Sequence, residues 1–347
     1  MIKRILYTLL IMFPVVASAQ INTDRVMAIG RNALYFEDYV LSIQYFNQVI
    51  NAKPYLSDPY FYRGLAKINL DDFQGAESDC SEAIERNPFV VSAYQVRGLA
   101  RIQQNNFAGA IEDYTKALEF DPENIGVWHN MALCRIRQED YKGAKNDLDK
   151  LIAISPRYTK AYLMRGEVDL KQKDTLAAEK DFGKAIEIDR YDADTWASRA
   201  ILRLQQQRYK DAEADFDHAI RLSTRNSGVY INRALARYHQ NNLRGAMSDY
   251  DIALDIDPNN FIGHYNRGLL RAQVGDDNRA IQDFNFVIEM EPDNMMAIFN
   301  RGLLLDQTGD YKGAIKDYST VINEYPNFLL GYQYLSLIHI SEPTRRS

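Results

Sequence analysis

One interval governs this sequence. Prolines stand at Pro54, Pro88, Pro122, Pro156, Pro258, Pro292 and Pro326, and every gap between neighbours is 34 residues or a multiple of it. Self-similarity at a period of roughly 20 to 50 residues confines a chain to architectures built by repeating one supersecondary unit, because each copy must rest its apolar face on the next. The two skipped places hold Arg190 and Thr224, and the pattern continues through them without insertion or deletion. Nine copies fill residues 23–328.

Numbering each copy from its first residue puts the proline at place 32. Place 8 is then Gly or Ala throughout: Gly30, Gly64, Gly98, Ala132, Gly166, Ala200, Ala234, Gly268 and Gly302. Place 20 is Ser42 and afterwards alanine, from Ala76 to Ala314, while place 24 is mostly aromatic, as in Phe46, Tyr114, Phe182, Phe216, Tyr250, Phe284 and Tyr318. A large ring set against a small residue lets two helices approach closely. Short polar turns such as Asp71-Asp72, Asn105-Asn106, Gln240-Asn241-Asn242 and Thr308-Gly309-Asp310 end the first helix of a copy, and the proline closes the second.

An aromatic at place 4, Gly or Ala at 8, Ala at 20, an aromatic at 24, Ala at 27 and Pro at 32 all occur in copy seven, as Tyr230, Ala234, Ala246, Tyr250, Ala253 and Pro258. Copy four carries Trp128, Ala132, Ala144 and Pro156. On these residues the chain resembles the tetratricopeptide repeat family over residues 23–328. The resemblance implies an all-α solenoid: a right-handed superhelix of nine antiparallel helix pairs whose first helices line a concave groove.

Three places depart from the family pattern, which commonly has Leu at 7, Tyr at 11 and Tyr at 23. Place 7 reads Arg63, Arg97, Arg165, Arg199, Arg233, Arg267 and Arg301; place 11 reads Lys67, Arg101, Arg135, Arg203, Arg237 and Arg271. Place 23 is Asp79, Asp113, Asp147, Asp181, Asp215, Asp249, Asp283 and Asp317. Copy one has Ile29, Ala33 and Tyr45, so the basic and acidic residues vanish together. Places 7 and 11 lie one helical turn apart, and a guanidinium can bridge from them to a carboxylate on the second helix. The expectation is a ladder of ion pairs that fixes register more than it adds stability, since an intact buried pair is often no better than an apolar replacement.

At about 100° per residue, places 2, 5, 6, 9, 12 and 13 of the first helix share the opposite face and should look into the groove. One stripe there is polar, with Asn130, Asn232, Asn266 and Asn300 at place 6 and Asn69, Gln103, Gln205, Gln273 and Gln307 at place 13. A row of side-chain amides offers donors and acceptors to the backbone of an extended peptide whatever its sequence. It is similar to the asparagine ladder in the repeat region of O-linked N-acetylglucosamine transferase, though Tyr62, Val96, Met164 and Ser198 interrupt it. The other stripe is apolar: Leu65, Leu99, Leu133, Ile201, Leu235, Leu269 and Leu303 at place 9, flanked at place 5 by Phe61, Ile231, Tyr265 and Phe299. It serves either as a docking surface or as packing between neighbouring first helices. Candidate partner-binding residues are Asn130, Asn232, Asn266, Asn300, Phe61, Tyr265 and Phe299. No copy has Lys at place 5 with Asn at place 9, the pair by which chaperone-binding members of the family hold an acidic C-terminus.

Composition and motifs narrow the chemistry. With 47 acidic against 41 basic side chains, the chain lacks the basic excess that a nucleic-acid backbone requires. Cys80 and Cys134 fall on helices separated by two others, too far apart to bridge, and read as buried apolar residues. The five histidines have no metal-ligand spacing, and Asp255, Asp257 and Asn259 begin a calcium loop that fails at Asn260 and Asn266. No phosphate-cradling glycine loop, zinc-protease helix or nucleophile elbow occurs. No catalytic residue and no cofactor is expected.

The ends read differently from the array. Lys3-Arg4, an apolar run from Ile5 to Val16 and Ala17-Ser18-Ala19 make residues 1–19 a Sec-type signal peptide, with 20–22 as a short leader. Export to the periplasm, or beyond it, follows, with no stable membrane insertion after cleavage. Residues 329–334 start a tenth repeat, and residues 335–347 leave the pattern and resemble translated sequencing-adapter read-through, so the native C-terminus is expected to differ. The functional expectation is a non-catalytic exported scaffold that holds a protein or extended peptide in its groove. The alternatives are the repeat half of a larger enzyme or secretion component, and self-association through an uncovered terminal repeat.

Overall fold

The structure is a computed structural model that describes residues 22–345. The signal-peptide segment and most of the leader lie outside the described residues. All regular structure among them is helical, in two compact units that meet at Pro156 and Arg157. The first unit contains α1 (Thr23–Tyr35), α2 (Tyr39–Ala52), α3 (Asp58–Ile68), α4 (Phe73–Arg86), α5 (Val91–Gln103), α6 (Phe107–Phe120), α7 (Ile125–Arg137) and α8 (Tyr141–Ile154). The second contains α9 (Thr159–Lys171), α10 (Thr175–Ile188), α11 (Ala193–Gln205), α12 (Tyr209–Leu222), α13 (Ser227–His239), α14 (Leu243–Ile256), α15 (Phe261–Gln273), α16 (Asp277–Met290), α17 (Met295–Thr308), α18 (Tyr311–Glu324) and α19 (Leu329–Arg345). Within each unit every helix packs chiefly on its sequence neighbours, which makes each an α-solenoid. α19 runs through the start of the tenth repeat and on over residues 335–345.

The two helices of a repeat reverse direction in two to four residues, three in most repeats, and one device does it every time. The residue at place 15 takes a left-handed conformation in all nine repeats, with φ from 59° to 65° at Glu37, Asp71, Asn105, Glu139, Lys173, Gln207 and Asn241 and larger values at Gly275 and Gly309. In repeats one to eight the N–H at place 16 then returns to the carbonyl at place 11, as from Asn242 to Arg237 at 2.9 Å and from Asp276 to Arg271 at 2.8 Å. This satisfies an end carbonyl of the first helix. The residue at place 16 also caps the second helix: the side chains of Asp38, Asp72, Asn106, Asp140, Asp174, Asn242 and Asp310 each accept from the N–H three residues on. One residue therefore closes one helix and opens the next, which leaves the pair no slack.

Close approach inside a pair comes from the small residue at place 8. A Cβ added to Gly98 would lie 2.8 Å from Cε1 of Tyr114, and one on Gly166 2.6 Å from Cε1 of Phe182. These rings at place 24 are almost wholly buried, each removal from water contributing about 2 kcal/mol. Between repeats, the aromatic at place 4 donates to the carbonyl at place 32 of the preceding repeat. Trp128 Nε1 reaches Pro122 at 2.8 Å and Trp196 Nε1 reaches Arg190 at 3.0 Å. That bond needs only a backbone oxygen, so Arg190 can replace proline. α10 and α12 end at Ile188 and Leu222, in phase with the proline-bearing repeats, the N–H of Asp189 and Ser223 bonding back four residues.

The turn geometry carries a cost at non-glycine residues. Gln207→Gly is expected to raise stability by up to ~1 kcal/mol, and Gln207→Val to lower it by about 1–2 kcal/mol, since a β-branched side chain is the worst tenant of left-handed backbone. Urea denaturation of the two variants beside the parent measures both; equal midpoints would show that the turn is not strained.

Candidate functional site: the first-helix face

What orients the first helices is the ladder of ion pairs on their other side. Arg63, Arg97, Arg165, Arg199, Arg233, Arg267 and Arg301 each present Nε and Nη2 to the aspartate sixteen residues on. In the seventh repeat these bonds are 2.9 and 2.6 Å. The aspartates are 1–5% exposed. The remaining Nη1 turns to place 25 of the preceding repeat: Arg63 to Asn47, Arg97 to Ser81, Arg233 to Asp217, Arg267 to Asp251 and Arg301 to Asn285. Each of these guanidiniums thus ties three helices together. The basic residue at place 11 adds a second bridge, for Arg237 Nη1 donates to Asp249 while its Nε meets Glu213 of the repeat before. Arg101 with Glu77 and Arg203 with Glu179 do the same.

The charge balance differs from rung to rung. Burial pushes the Asp283 carboxyl up, but bonds from His264 and Arg267 outweigh it, and the group sits below its usual range. The fourth repeat has Met131 at place 7, so Asp147 bonds only to Arg135 and leaves Oδ2 buried without a partner. Burial there outweighs Arg135 and pushes the Asp147 carboxyl from 3.8 to about 6. The two cysteines are free and buried, and desolvation pushes their thiols up to about 12 at Cys80 and about 11 at Cys134.

The opposite face is less uniform than its sequence suggests. Asn232 and Asn266 are half-buried and have no hydrogen-bond partner among the described residues. Asn300 donates instead to Tyr265 Oη at 3.1 Å. Asn130 lies beside the buried Tyr114 hydroxyl without closing a hydrogen bond to it. Phe299 is a correction to the expected groove lining: it is 6% exposed, and its ring meets Tyr318, Phe328 and Tyr334 at 5.8, 5.0 and 5.7 Å. Tyr265 is half-buried, with its ring edge-on to Phe284 at 5.8 Å, and Phe61 is half-buried against the cluster of Cys80, Ala83 and Ala93. Place 5 therefore belongs largely to packing, because in repeats eight and nine it faces the place 24 ring of its own repeat. Aromatic residues recurring at places 5 and 24 of one repeat are the sequence signal for that contact. Place 9 straddles the two roles, with Leu99 38% and Leu269 39% exposed and the others half-buried.

Models of the tetratricopeptide repeat match residues 98–134, 125–158, 159–192, 198–261 and 265–327, together well over half of the chain. Among solved structures, a tetratricopeptide repeat protein from Parabacteroides merdae is 21% identical, with a TM-score of 0.55 over 72% of this chain and 98% of that one. PilF of Pseudomonas aeruginosa is 18% identical, with a TM-score of 0.56 over 62% of this chain and 98% of its own. The C-terminal part of a repeat protein from Cytophaga hutchinsonii is 17% identical, with a TM-score of 0.56 over 68% and 97% of the two chains. These likenesses are of fold. No curated protein matches the chain.

Two rungs with the same aspartate but different residues at place 7, Met131 and Arg233, should respond oppositely to neutralisation. The raised pKa of Asp147 means that the folded chain holds this proton more tightly than the unfolded one. Its destabilisation is absent below pH 3.8, grows towards pH 6 and is complete above that. Asp147→Asn should therefore be neutral or stabilising at pH 7 and lose that advantage near pH 4. Asp249→Asn, which takes a charge away from both Arg233 and Arg237, should cost about 3–5 kcal/mol at pH 7. Urea midpoints at the two pH values decide the matter, and parallel losses would refute the contrast.

Proposed function

Because this chain belongs to the tetratricopeptide repeat family, we propose that it is a non-catalytic exported scaffold whose first-helix face holds an extended peptide segment of another protein. The observation that carries this reading is the pair Asn232 and Asn266. In an array where the arginines of the ladder find carboxylates, these half-buried amides of consecutive repeats are left without internal partners. Their polar atoms are not among the buried ones without a partner, so solvent meets them in the free chain and a ligand's polar groups can take its place. A peptide backbone supplies a carbonyl and an N–H at each residue, matching the donor and acceptor of an amide. Leu235 and Leu269, three residues along the same helices, give the segment an apolar margin for its side chains. Affinity would then come from the main chain, and selectivity from whatever side chains rest on the leucines.

Export rests on the basic, apolar and small-residue succession of residues 1–19. No helix among the described residues is long and apolar enough to cross a membrane. The ladder and its inter-repeat bonds suit a holder, since a peptide lying across several repeats gains most when their spacing is fixed before it binds.

Peptides selected from a random extended library against the whole chain provide the test. The combined Asn232→Ala and Asn266→Ala variant should bind the selected peptides at least tenfold more weakly while its melting temperature stays within about 2 °C of the parent's. Asn300→Ala should instead cost about 1 kcal/mol of stability through the lost bond to Tyr265. Unchanged peptide affinity in the double variant would overturn the reading.

A further inference from the structure

A second surface, distinct from the first-helix face, has the makings of a ligand pocket. It is a cleft of about 460 Å³ lined by α10, the loop after it, the start of α11 and the end of α12. None of its lining residues occupies place 5, 6, 9 or 13. Its size falls among small-ligand clefts, roughly 300–1,000 Å³.

The floor is apolar and aromatic. Trp196 is fixed by its bond to the Arg190 carbonyl, the Arg199 guanidinium stands over its ring at 5.1 Å, and the His218 ring stacks on it at 4.3 Å and 15°. His218 is exposed and lines the cleft, and Ile186 and Leu222 line it as well. Tyr191 stands at the rim, 76% exposed. Above this floor are two arginines, Arg190 and Arg221, both exposed and both without a hydrogen bond or ion pair from their side chains among the described residues. That sets them apart from Arg86, near the end of α4, which pairs with Glu82 and bonds to the Pro54 carbonyl. The one acid lining the cleft, Glu187, is engaged by Lys184 at 3.0 Å. In the adjoining loop Asp189 accepts from the Tyr191 N–H, and Asp192 accepts from the Asp194 N–H and the Thr195 hydroxyl. Arg190 also occupies the place that is proline in seven repeats. The departure from proline at this place sets a cation beside the aromatic floor.

We propose that this cleft binds an acidic peptide segment in which an aromatic side chain is flanked by carboxylates, the ring lying on His218 and the carboxylates meeting Arg190 and Arg221. Guanidinium forks match carboxylates in geometry and charge, and a planar ring stacks on imidazole more readily than an aliphatic chain does. The inference does not depend on the reading of the asparagine pair, because the two surfaces share no residue.

The experiment uses the full chain and a fluorescent, N-acetylated and C-amidated peptide with a Gly-Glu-Phe-Asp-Gly core, followed by anisotropy. Saturable binding is expected, about tenfold weaker in Arg190→Pro and in Arg221→Gln, and similarly weaker for the Gly-Gln-Phe-Asn-Gly peptide. Arg190→Pro restores the repeat's ordinary residue and Arg221 is exposed, so both variants should keep the parent's melting temperature. The Asn232→Ala and Asn266→Ala variant should bind the probe as the parent does. The proposal is overturned by absence of saturable binding up to roughly 1 mM, by affinities in the arginine variants within twofold of the parent, or by loss of binding in the asparagine variant. It is overturned equally if a neutral peptide with a free C-terminal Phe binds better than the acidic amide, which would assign the arginines to chain ends.

Discussion

A carboxylate buried between two helices cannot be left alone, and the rest of each repeat follows from how its charge is met. Placing an aspartate at place 23, 1% exposed at Asp249, removes it from water at a cost of several kcal/mol unless cations with good geometry stand beside it. Arg233 and Arg237 both do, one turn apart on the facing helix. Meeting one aspartate uses only part of each guanidinium. The unused N–H groups reach Asp217 and Glu213 in the preceding repeat, so the requirement set inside one helix pair is discharged partly in the next. A charge network of this kind specifies spacing where apolar contacts alone would tolerate sliding.

The fourth repeat shows what the network requires by lacking part of it. Met131 packs well, in a cluster with Val127, Tyr114 and Cys134, yet it provides no donor for Asp147. Apolar burial and charge satisfaction compete for the same position, and here burial won at the expense of a carboxyl that holds its proton into the mildly acid range. The first repeat resolves the conflict differently, with Ile29 and Tyr45 and no buried acid at place 23.

Most of the fold was legible because it depends on residue size and period. The small residue at place 8 and the ring at place 24 announced the helix pair, and Gly98 against Tyr114 meets at the distance that such a pairing demands. The partnership of places 7 and 23 was legible from their joint presence in seven repeats and joint absence in the first, Met131 opposite Asp147 in the fourth being the one mismatch. Three features were not. The left-handed residue at place 15 was hidden because Glu139, Lys173 and Gln207 do not advertise it, the conformation being imposed by the bond from place 16 to place 11. The tie to the preceding repeat was hidden because place 25 varies among Asn, Ser and Asp, which share only an oxygen. Phe299 was misplaced because angular position on one helix says which way a side chain leaves, whereas burial depends on what a neighbouring ring does to receive it.

The division of labour between the faces of the first helix leaves amides on one of them without internal partners. If asparagines were to secure the helices to one another, their amides would be consumed internally, as Asn300 is by Tyr265. In the seventh and eighth repeats Arg233 and Arg267 bond across to the repeat before while Asn232 and Asn266 have no hydrogen-bond partner among the described residues; in the ninth Arg301 makes the same bond, and Asn300 is taken up only because Tyr265 stands within its reach. The same logic extends to the proline place. The bond from Trp196 holds the fifth and sixth repeats together through a backbone carbonyl, which releases the side chain of residue 190 from any structural duty. Where backbone or ladder carries the architecture, side chains are left without a structural partner, and in this chain these gather as amides on one surface and arginines on another.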